Sequence, residues 1–413
     1  MNRVGVFPGK FLPPHRGHLT AILRAHALCD ELYVVISERP QEDGELCAQA
    51  GIPYIDGVLR QRWLSQELQG LGIKVLLQQE GQIPPFPQGW GEYAALLRQS
   101  VPVPFQLIFG GEESYRTGHQ QHFPDIQYQV LDPQRTQWPI SGTEIRNHPY
   151  LHWDYIAGAA RPFFARKVLI TGPESCGKTT LTRKLAKVYC TSWSEELGRD
   201  YQEEVVGGNG DLFNLEDFNR ITHLQYEQDY QALRSANKVC FFDTDAVVTA
   251  FFSQVFLGQL ASRIESFIDP NKYDLIIALE PTVPWVADGM RELGDPGVRQ
   301  QSFEQLLALY QQYGFPAERI LLDPGFGFGK SLAENHELLQ KLEHLHLLGA
   351  PLLVGVSRKS MITKVLNCSA DEALNGTSIL NTLAYTKGAR LFRVHDVAAA
   401  KELILLLAAQ DLH

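Results

Sequence analysis

Cysteine is sparse and scattered in this chain of 413 residues. The six cysteines, at 29, 47, 176, 190, 240 and 368, form no CxxC pair and have no histidine cluster at ligand spacing. That argues against a disulfide framework and a zinc centre. Basic residues are also in deficit, 37 against 47 acidic, for a formal charge of −10 and a sequence pI near 5.7. A protein whose main task is to coat nucleic acid needs the opposite balance. Long apolar runs are missing: the stretch Glu402 to Ala409 falls far short of a bilayer span. No charged-then-apolar leader is visible, so a soluble, cytoplasmic protein with no membrane or nucleic-acid partner is expected. The length predicts two or three domains, each with its own core.

The most informative stretch runs from Lys167 to Tyr189, KVLITGPESCGKTTLTRKLAKVY, an apolar strand, a glycine-bearing loop and an amphipathic helix. Gly172 and Gly177 bracket four residues before Lys178 and Thr179, a spacing that lets the loop curl and aim its N–H groups at one concave point. Such a loop suits a polyphosphate. Lys178 adds a charge at the β and γ phosphates, the Thr179 hydroxyl a ligand for Mg²⁺, and the helix its positive dipole end, with Ser175 and Thr180 beside them. ATP is the expected ligand.

Before it, Arg3 to Phe7 leads into GKFLPPHRGHLTAILRAHALC, a strand, a turn and a helix with His15 and His18 on one face. After the strand Gln127 to Asp132, SGTEIR opens a second helix with hydroxyls and an arginine, expected to form another anion site from helix-terminus amides. Further strands are expected at Leu32 to Ser37, Lys74 to Gln79 and Gln106 to Phe109, alternating with helices near 59 to 69 and 90 to 99. Strands alternating with helices imply a parallel sheet covered on both faces, with ligands at the carboxyl ends of the strands.

GKFLPPHRGH with SGTEIR resembles the (H/T)xGH nucleotidylyltransferase superfamily. Followed by HWDYIAGAARPFFARK and a phosphate-binding loop, it resembles the bifunctional bacterial NadR family, a nicotinamide mononucleotide (NMN) adenylyltransferase fused to a ribosylnicotinamide kinase, over residues 3 to 314. The resemblance implies that His15, His18 and Arg146 hold the triphosphate, with Gly9 and Phe11 on the nucleotide side. Lys10 then lies close to the reacting phosphate, and Ser141 and Thr143 fix the second helix terminus. Trp90 matches a family position that stacks on nicotinamide, although a core tryptophan at a helix start fits as well. Some family members act as repressors through an N-terminal helix-turn-helix; this chain opens on the first transferase strand, so that role is not expected.

Downstream, Thr191 to Glu196 runs into GRDY, and KVCFFDTD and Tyr273 to Pro281 are apolar strands ending in or followed by polar residues. Acids at strand ends beside the loop are what Mg²⁺–ATP requires. Asp243 is the candidate metal ligand or general base, with Asp245 the alternate or a substrate contact. Glu196 and Arg199 are expected at the ribose. Arg291, in a stretch that looks like the family's lid, is expected either to neutralise the transferred phosphoryl group or to be a spare arginine on a surface helix.

From Gly314 on, RILLDPGFGFGK, PLLVGVSRKS and LFRVHD resemble the C-terminal part of dihydropteroate synthase, a (β/α)₈ barrel. By that resemblance Asp323 and Lys359 contact pterin, Phe328 and Ser357 lie on the p-aminobenzoate side, and Arg393 and His395 form the pyrophosphate site. Only about three of the eight βα units are present, and an unclosed fragment cannot complete a site spread over eight strand ends, so no synthase activity is expected. Either the tail is a remnant, or Arg319 to Leu322 and Leu332 to Leu347 are reused as the last βα unit of the kinase.

The expected architecture is therefore α/β. A Rossmann-like transferase domain (1–150), a linker (151–166) and a phosphate-loop kinase domain (167–314) precede a tail (315–413) resembling the last three units of a TIM barrel. The expected activity is NAD salvage from ribosylnicotinamide through NMN, with ATP and Mg²⁺ at both steps and the oligomeric state open. The alternatives are a split synthase partner and an NAD-sensing regulator.

Overall fold

The computed structural model describes residues 3–81, 83–281, 295–327, 330–348 and 350–409, which divide into two compact units, 1–164 and 165–413. In the first, five strands, β1 (Val4–Gly9), β2 (Glu31–Glu38), β3 (Lys74–Gln79), β4 (Leu107–Gly110) and β5 (Gln127–Val130), form one sheet in the order β3-β2-β1-β4-β5. Every pairing is parallel. The pleat sends Val4, Val6, Tyr33 and Val35 to one face, where they pack with Trp90, Tyr93 and Leu97 of the helix Trp90–Ser100. Phe7, Leu32, Val34 and Ile36 go to the other, against Ile22 and Leu64 of the helices Arg16–His26 and Gly57–Glu67. Alternating apolar residues on both faces are the reason helices cover both sides.

The segment expected as a linker belongs to the first unit up to Phe164. Ile156 forms an antiparallel bridge with His15, the Ala157 amide donates to the Pro14 carbonyl, and Phe163 packs edge-on to Trp63 at 5.6 Å. Its apolar side chains are what hold it there.

The second unit is built on β6 (Arg166–Thr171), β7 (Trp193–Ser194), β8 (Val239–Asp243), β9 (Leu275–Leu279) and β10 (Ile320–Asp323), again all parallel, in the order β10-β9-β6-β8-β7. Thus Ile320 to Asp323, from the synthase-like tail, completes the sheet that carries the phosphate loop. All four of its residues are buried. The seam expected at Gly314 is no boundary in three dimensions. Two further short strands, β11 (Leu353–Val354) and β12 (Leu391–Phe392), pair parallel with each other, and a parallel bridge joins Leu352 to Leu322 of β10. The tail is thereby joined to the five-stranded sheet through β10 and this one bridge. Its last helix, Val397–Ala408, buries none of its residues, and Leu405 and Leu406 stand exposed.

Among the described residues no helix is long and apolar enough to cross a membrane.

Candidate functional site

Each unit has a cavity at the carboxyl ends of its strands. In the first it measures about 510 Å³, and its walls include Gly9, Lys10, Phe11, His15, His18, Trp90 and Ser141. His15 precedes the helix Arg16–His26, which has no side-chain cap, so its first amides remain available to an anion. The His15 and His18 rings stack with centroids 3.6 Å apart, and Phe11 meets His18 edge-on at 4.9 Å. Burial, reinforced by the Arg135 charge and opposed by Glu144, lowers the His15 pKa to about 4. Burial first, then His15 and Arg135, hold His18 well below its ordinary value. Both imidazoles are neutral near pH 7, and each keeps one N–H for a phosphate oxygen. Neither Nδ1 has a hydrogen-bond partner among the described residues.

The second helix terminus differs from expectation. Glu144 N–H donates to Ser141 Oγ (3.2 Å) while the Glu144 carboxylate accepts from Ser141 N–H (2.8 Å), so the chain's own capping box occupies that end. The Ser141 and Glu144 amides at this helix start are thus satisfied within the chain. Arg146 is buried and donates to the Leu12 carbonyl (2.5 Å) and the Thr143 hydroxyl (3.1 Å). Its contacts hold the loop that carries His15. Trp90 is both a core residue and a cavity wall, 6% exposed with Phe86 stacked on it at 4.1 Å.

The cavity of the second unit measures about 430 Å³ and is walled by Ser175, Gly177, Lys178, Thr179, Thr180, Glu196, Arg199 and Asp243, among others. Gly172 has φ +145°, and a Cβ there would lie 2.5 Å from the Leu279 carbonyl; Gly177 has φ +92°. Side chains are disfavoured at both, which fixes where glycine stands in the loop. Lys178 is buried and donates to the Pro173 carbonyl at 3.1 Å. Burial opposes its charge, but Glu196, Cys176 and Asp243 outweigh it and raise its pKa.

Asp243 and Asp245, two residues apart, do different work. Thr244 between them has φ +99°, a conformation costly for a β-branched residue. Asp243 faces the loop, buried, with no hydrogen-bond partner for either oxygen among the described residues, and the Thr179 hydroxyl lies near enough to ease its ionisation. Burial, then Glu196, raises its pKa to about 6, with Lys178 pulling the other way. An unpaired buried carboxylate beside a threonine hydroxyl fits a hard divalent cation that keeps waters and phosphate oxygens as its other ligands. Asp245, expected as the alternate or as a substrate contact, instead caps the helix Ala246–Leu257 through the amides of Val247 and Val248, both at 3.1 Å, and accepts from the Tyr310 hydroxyl.

Several wall and support residues escaped the sequence reading. Phe213, Phe218, Phe252 and Phe256 make an apolar end to this second cavity, suited to a flat ring. Gln225 donates to the Glu195 carbonyl (2.9 Å) and accepts from Leu197 N–H (3.0 Å), fixing the turn that presents Glu196. Arg299, buried on the helix Pro296–Gln312, donates to the Ser175 carbonyl of the phosphate loop at 3.2 Å. Arg291 and Phe328 lie outside the described residues.

Two pairs of the synthase-like residues meet. Arg393 pairs with Asp323 (3.6 Å), Ser357 with His395 (3.1 Å), and Lys359 donates to the Phe326 carbonyl.

A family model described as "AAA domain" matches residues 167–322, and one described as "Pterin binding enzyme" matches 297–395. The trifunctional NAD biosynthesis/regulator protein NadR of Escherichia coli (strain K12) is 36% identical over 311 residues, 74% of this chain and 75% of the relative. The chain belongs to the NadR family. A crystal structure of NadR protein in complex with NR superposes with a TM-score of 0.66 at 26% identity, covering 84% of this chain and 96% of that one. Another, in complex with NAD and AMP-PNP, gives 0.65 at the same identity and coverage. The dihydropteroate synthase of E. coli (strain K12) is 44% identical over 107 residues, 26% of this chain and 38% of the synthase. The two family models overlap over 297–322, the helix and strand that join the NadR part to the tail.

Proposed function

We propose that this NadR-family chain makes NAD from ribosylnicotinamide in two ATP-dependent steps, one on each sheet. In the kinase cavity a ribose hydroxyl oxygen attacks the γ-phosphorus of ATP. The bond to ADP breaks, the hydroxyl proton passes to solvent, and NMN forms. Lys178 and the loop amides hold the phosphates, Glu196 and Arg199 meet the ribose, and the phenylalanine end takes the nicotinamide ring. Asp243 and Thr179 would hold Mg²⁺, which when bound neutralises charge on the β and γ phosphates.

In the first unit the NMN phosphate attacks the α-phosphorus of a second ATP, and pyrophosphate leaves. No covalent intermediate is required, so the protein's part is to position and to neutralise charge. His15, His18 and the uncapped helix behind them bind the triphosphate, Lys10 meets the reacting phosphate, and Trp90 lies beside the nicotinamide. The NadR protein seen with NR, and with NAD and AMP-PNP, supports this ligand set.

The observation that carries the reading is one phosphate-ready helix terminus behind each cavity. The test is chromatography of the nucleotides formed from ribosylnicotinamide, and separately from NMN, with MgATP. NAD from both substrates is expected. NAD from NMN alone would remove the kinase assignment, and none from NMN the transferase assignment.

A further inference from the structure

Arg60, on the helix Gly57–Glu67, is fully buried, one of the largest side chains so enclosed among the described residues. A guanidinium cannot shed its charge, so such burial must be compensated. The partners converge on one residue of the first cavity. Nη1 donates to the Lys10 carbonyl at 2.7 Å. Nη2 donates to Asp43 Oδ2 at 2.9 Å and lies 3.5 Å from Glu38 Oε1, and Nε donates to the Asp56 carbonyl at 3.2 Å. Asp43 is itself fully buried, and its other oxygen, Oδ1, faces the Lys10 ammonium at 3.3 Å. The same ammonium reaches the half-exposed Glu42 at 2.6 Å.

We infer that Arg60 is a positioning residue for adenylyl transfer, holding Lys10 by its main chain directly and by its side chain through Asp43. This rests on the reading of Lys10 as a phosphate contact. The planar fork spans two acceptors at once, which a lysine at position 60 cannot do. Arg60 also neutralises Asp43. Lys10 is then free to exchange the exposed Glu42 for a phosphate while Asp43 backs it from inside the protein. Without the guanidinium, Asp43 is an uncompensated carboxylate that keeps the ammonium for itself.

The test is a double-mutant cycle on the full-length chain, assayed for NAD formation from NMN. Arg60→Lys should lower kcat about tenfold with little change in the KM for ATP, and by less than about twofold when Lys10 is already alanine. A residue that merely supports the fold would give the same fold-loss in both backgrounds, which would overturn the inference; so would wild-type turnover in Arg60→Lys when Lys10→Ala is impaired. If Lys10→Ala itself turns over normally, the reading of Lys10 fails and the inference with it. Thermal melting accompanies each variant. Where Arg60→Lys melts early, the Arg60→Met/Asp43→Asn chain, which removes both members of the closest buried pair and leaves Glu38 accepting from the Tyr54 hydroxyl and the Gly57 amide, takes its place in the same cycle with the same deciding outcomes.

Discussion

The Tyr310 hydroxyl donates to Asp245 Oδ1 at 2.8 Å and lies 3.0 Å from Thr171 Oγ1, so one buried phenol ties together the end of β6, the cap of the helix after β8 and the helix that leads into the tail. Tyr310→Phe removes both bonds and leaves Asp245 with only its helix amides. A loss of about 1–3 kcal/mol in the second unit is expected, read as a lower melting temperature for that unit, with NAD formation from NMN unchanged.

The two aspartates after β8 should separate cleanly on substitution. Asp243→Asn removes a charge from a buried position with no hydrogen-bond partner among the described residues, so the fold should tolerate it while the kinase rate falls at least about a hundredfold. Asp245→Ala removes a cap and should cost about 1–2 kcal/mol of stability, with a far smaller effect on turnover below the melting temperature. Steady-state kinetics beside thermal melts decides between them; equal kinetic damage from both would refute the division of labour.

Lys178→Ala should abolish phosphorylation of ribosylnicotinamide and leave adenylyl transfer largely intact. His18→Ala should do the reverse. Assaying both variants with each substrate checks this, and equal loss of both activities would show that the two units do not work independently.

Acidification should weaken the first unit in a defined window. His15 and His119 both have pKa values lowered by burial to about 4, and burial holds His18 well below its ordinary value. Unfolded histidines bind protons below about 6.5 while these stay neutral, so stability is full above that pH and is lost as the pH falls towards 4, by a few kcal/mol in sum. Asp243 and Asp245, raised to about 6, act with the opposite sign: in the native state they retain protons that the unfolded chain releases above about 3.8, so their contribution grows as the pH drops from 6 towards 4. Melting curves between pH 7 and 4 should show the first unit's transition falling faster than the second's.

A chain ending at Gly314 should still convert NMN to NAD and should fail to phosphorylate ribosylnicotinamide. It lacks β10, which leaves Ile276 to Leu279 of β9 as an open edge and exposes apolar residues that β10 covers. Both activities in that truncated chain would show that β10 is dispensable.

What the sequence disclosed follows from locality. Gly172, Gly177, Lys178 and Thr179 sit within eight residues and declare a loop by their spacing; the βα alternation declared the parallel sheets, and of the two accounts of the tail, a remnant or reuse of Arg319 to Leu322, the pairing of Ile320–Asp323 with β9 fits reuse. The supports of the sites had no such signature. Tyr310 meets Thr171 across 139 positions, and Arg299 reaches Ser175 across 124. Arg60 looks in the sequence like any basic residue on a helix. Asp245 lies beyond β8 as the cap of the next helix, and the positive φ of Thr244, which the sequence does not display, turns it away from the direction of Asp243.

The place of β10 bears on how the protein is made. A ribosome releases the first unit whole, because its last strand ends at Val130 and the segment that packs back on it is finished by Phe164. The second sheet has no such early closure. Everything through Gly314 must emerge while β9 still lacks its outer neighbour, and that neighbour lies at the end of the stretch, 297–322, that the two family models share. Until residue 323 is out, the phosphate loop belongs to an unfinished sheet, and chaperone demand should concentrate in that interval of synthesis.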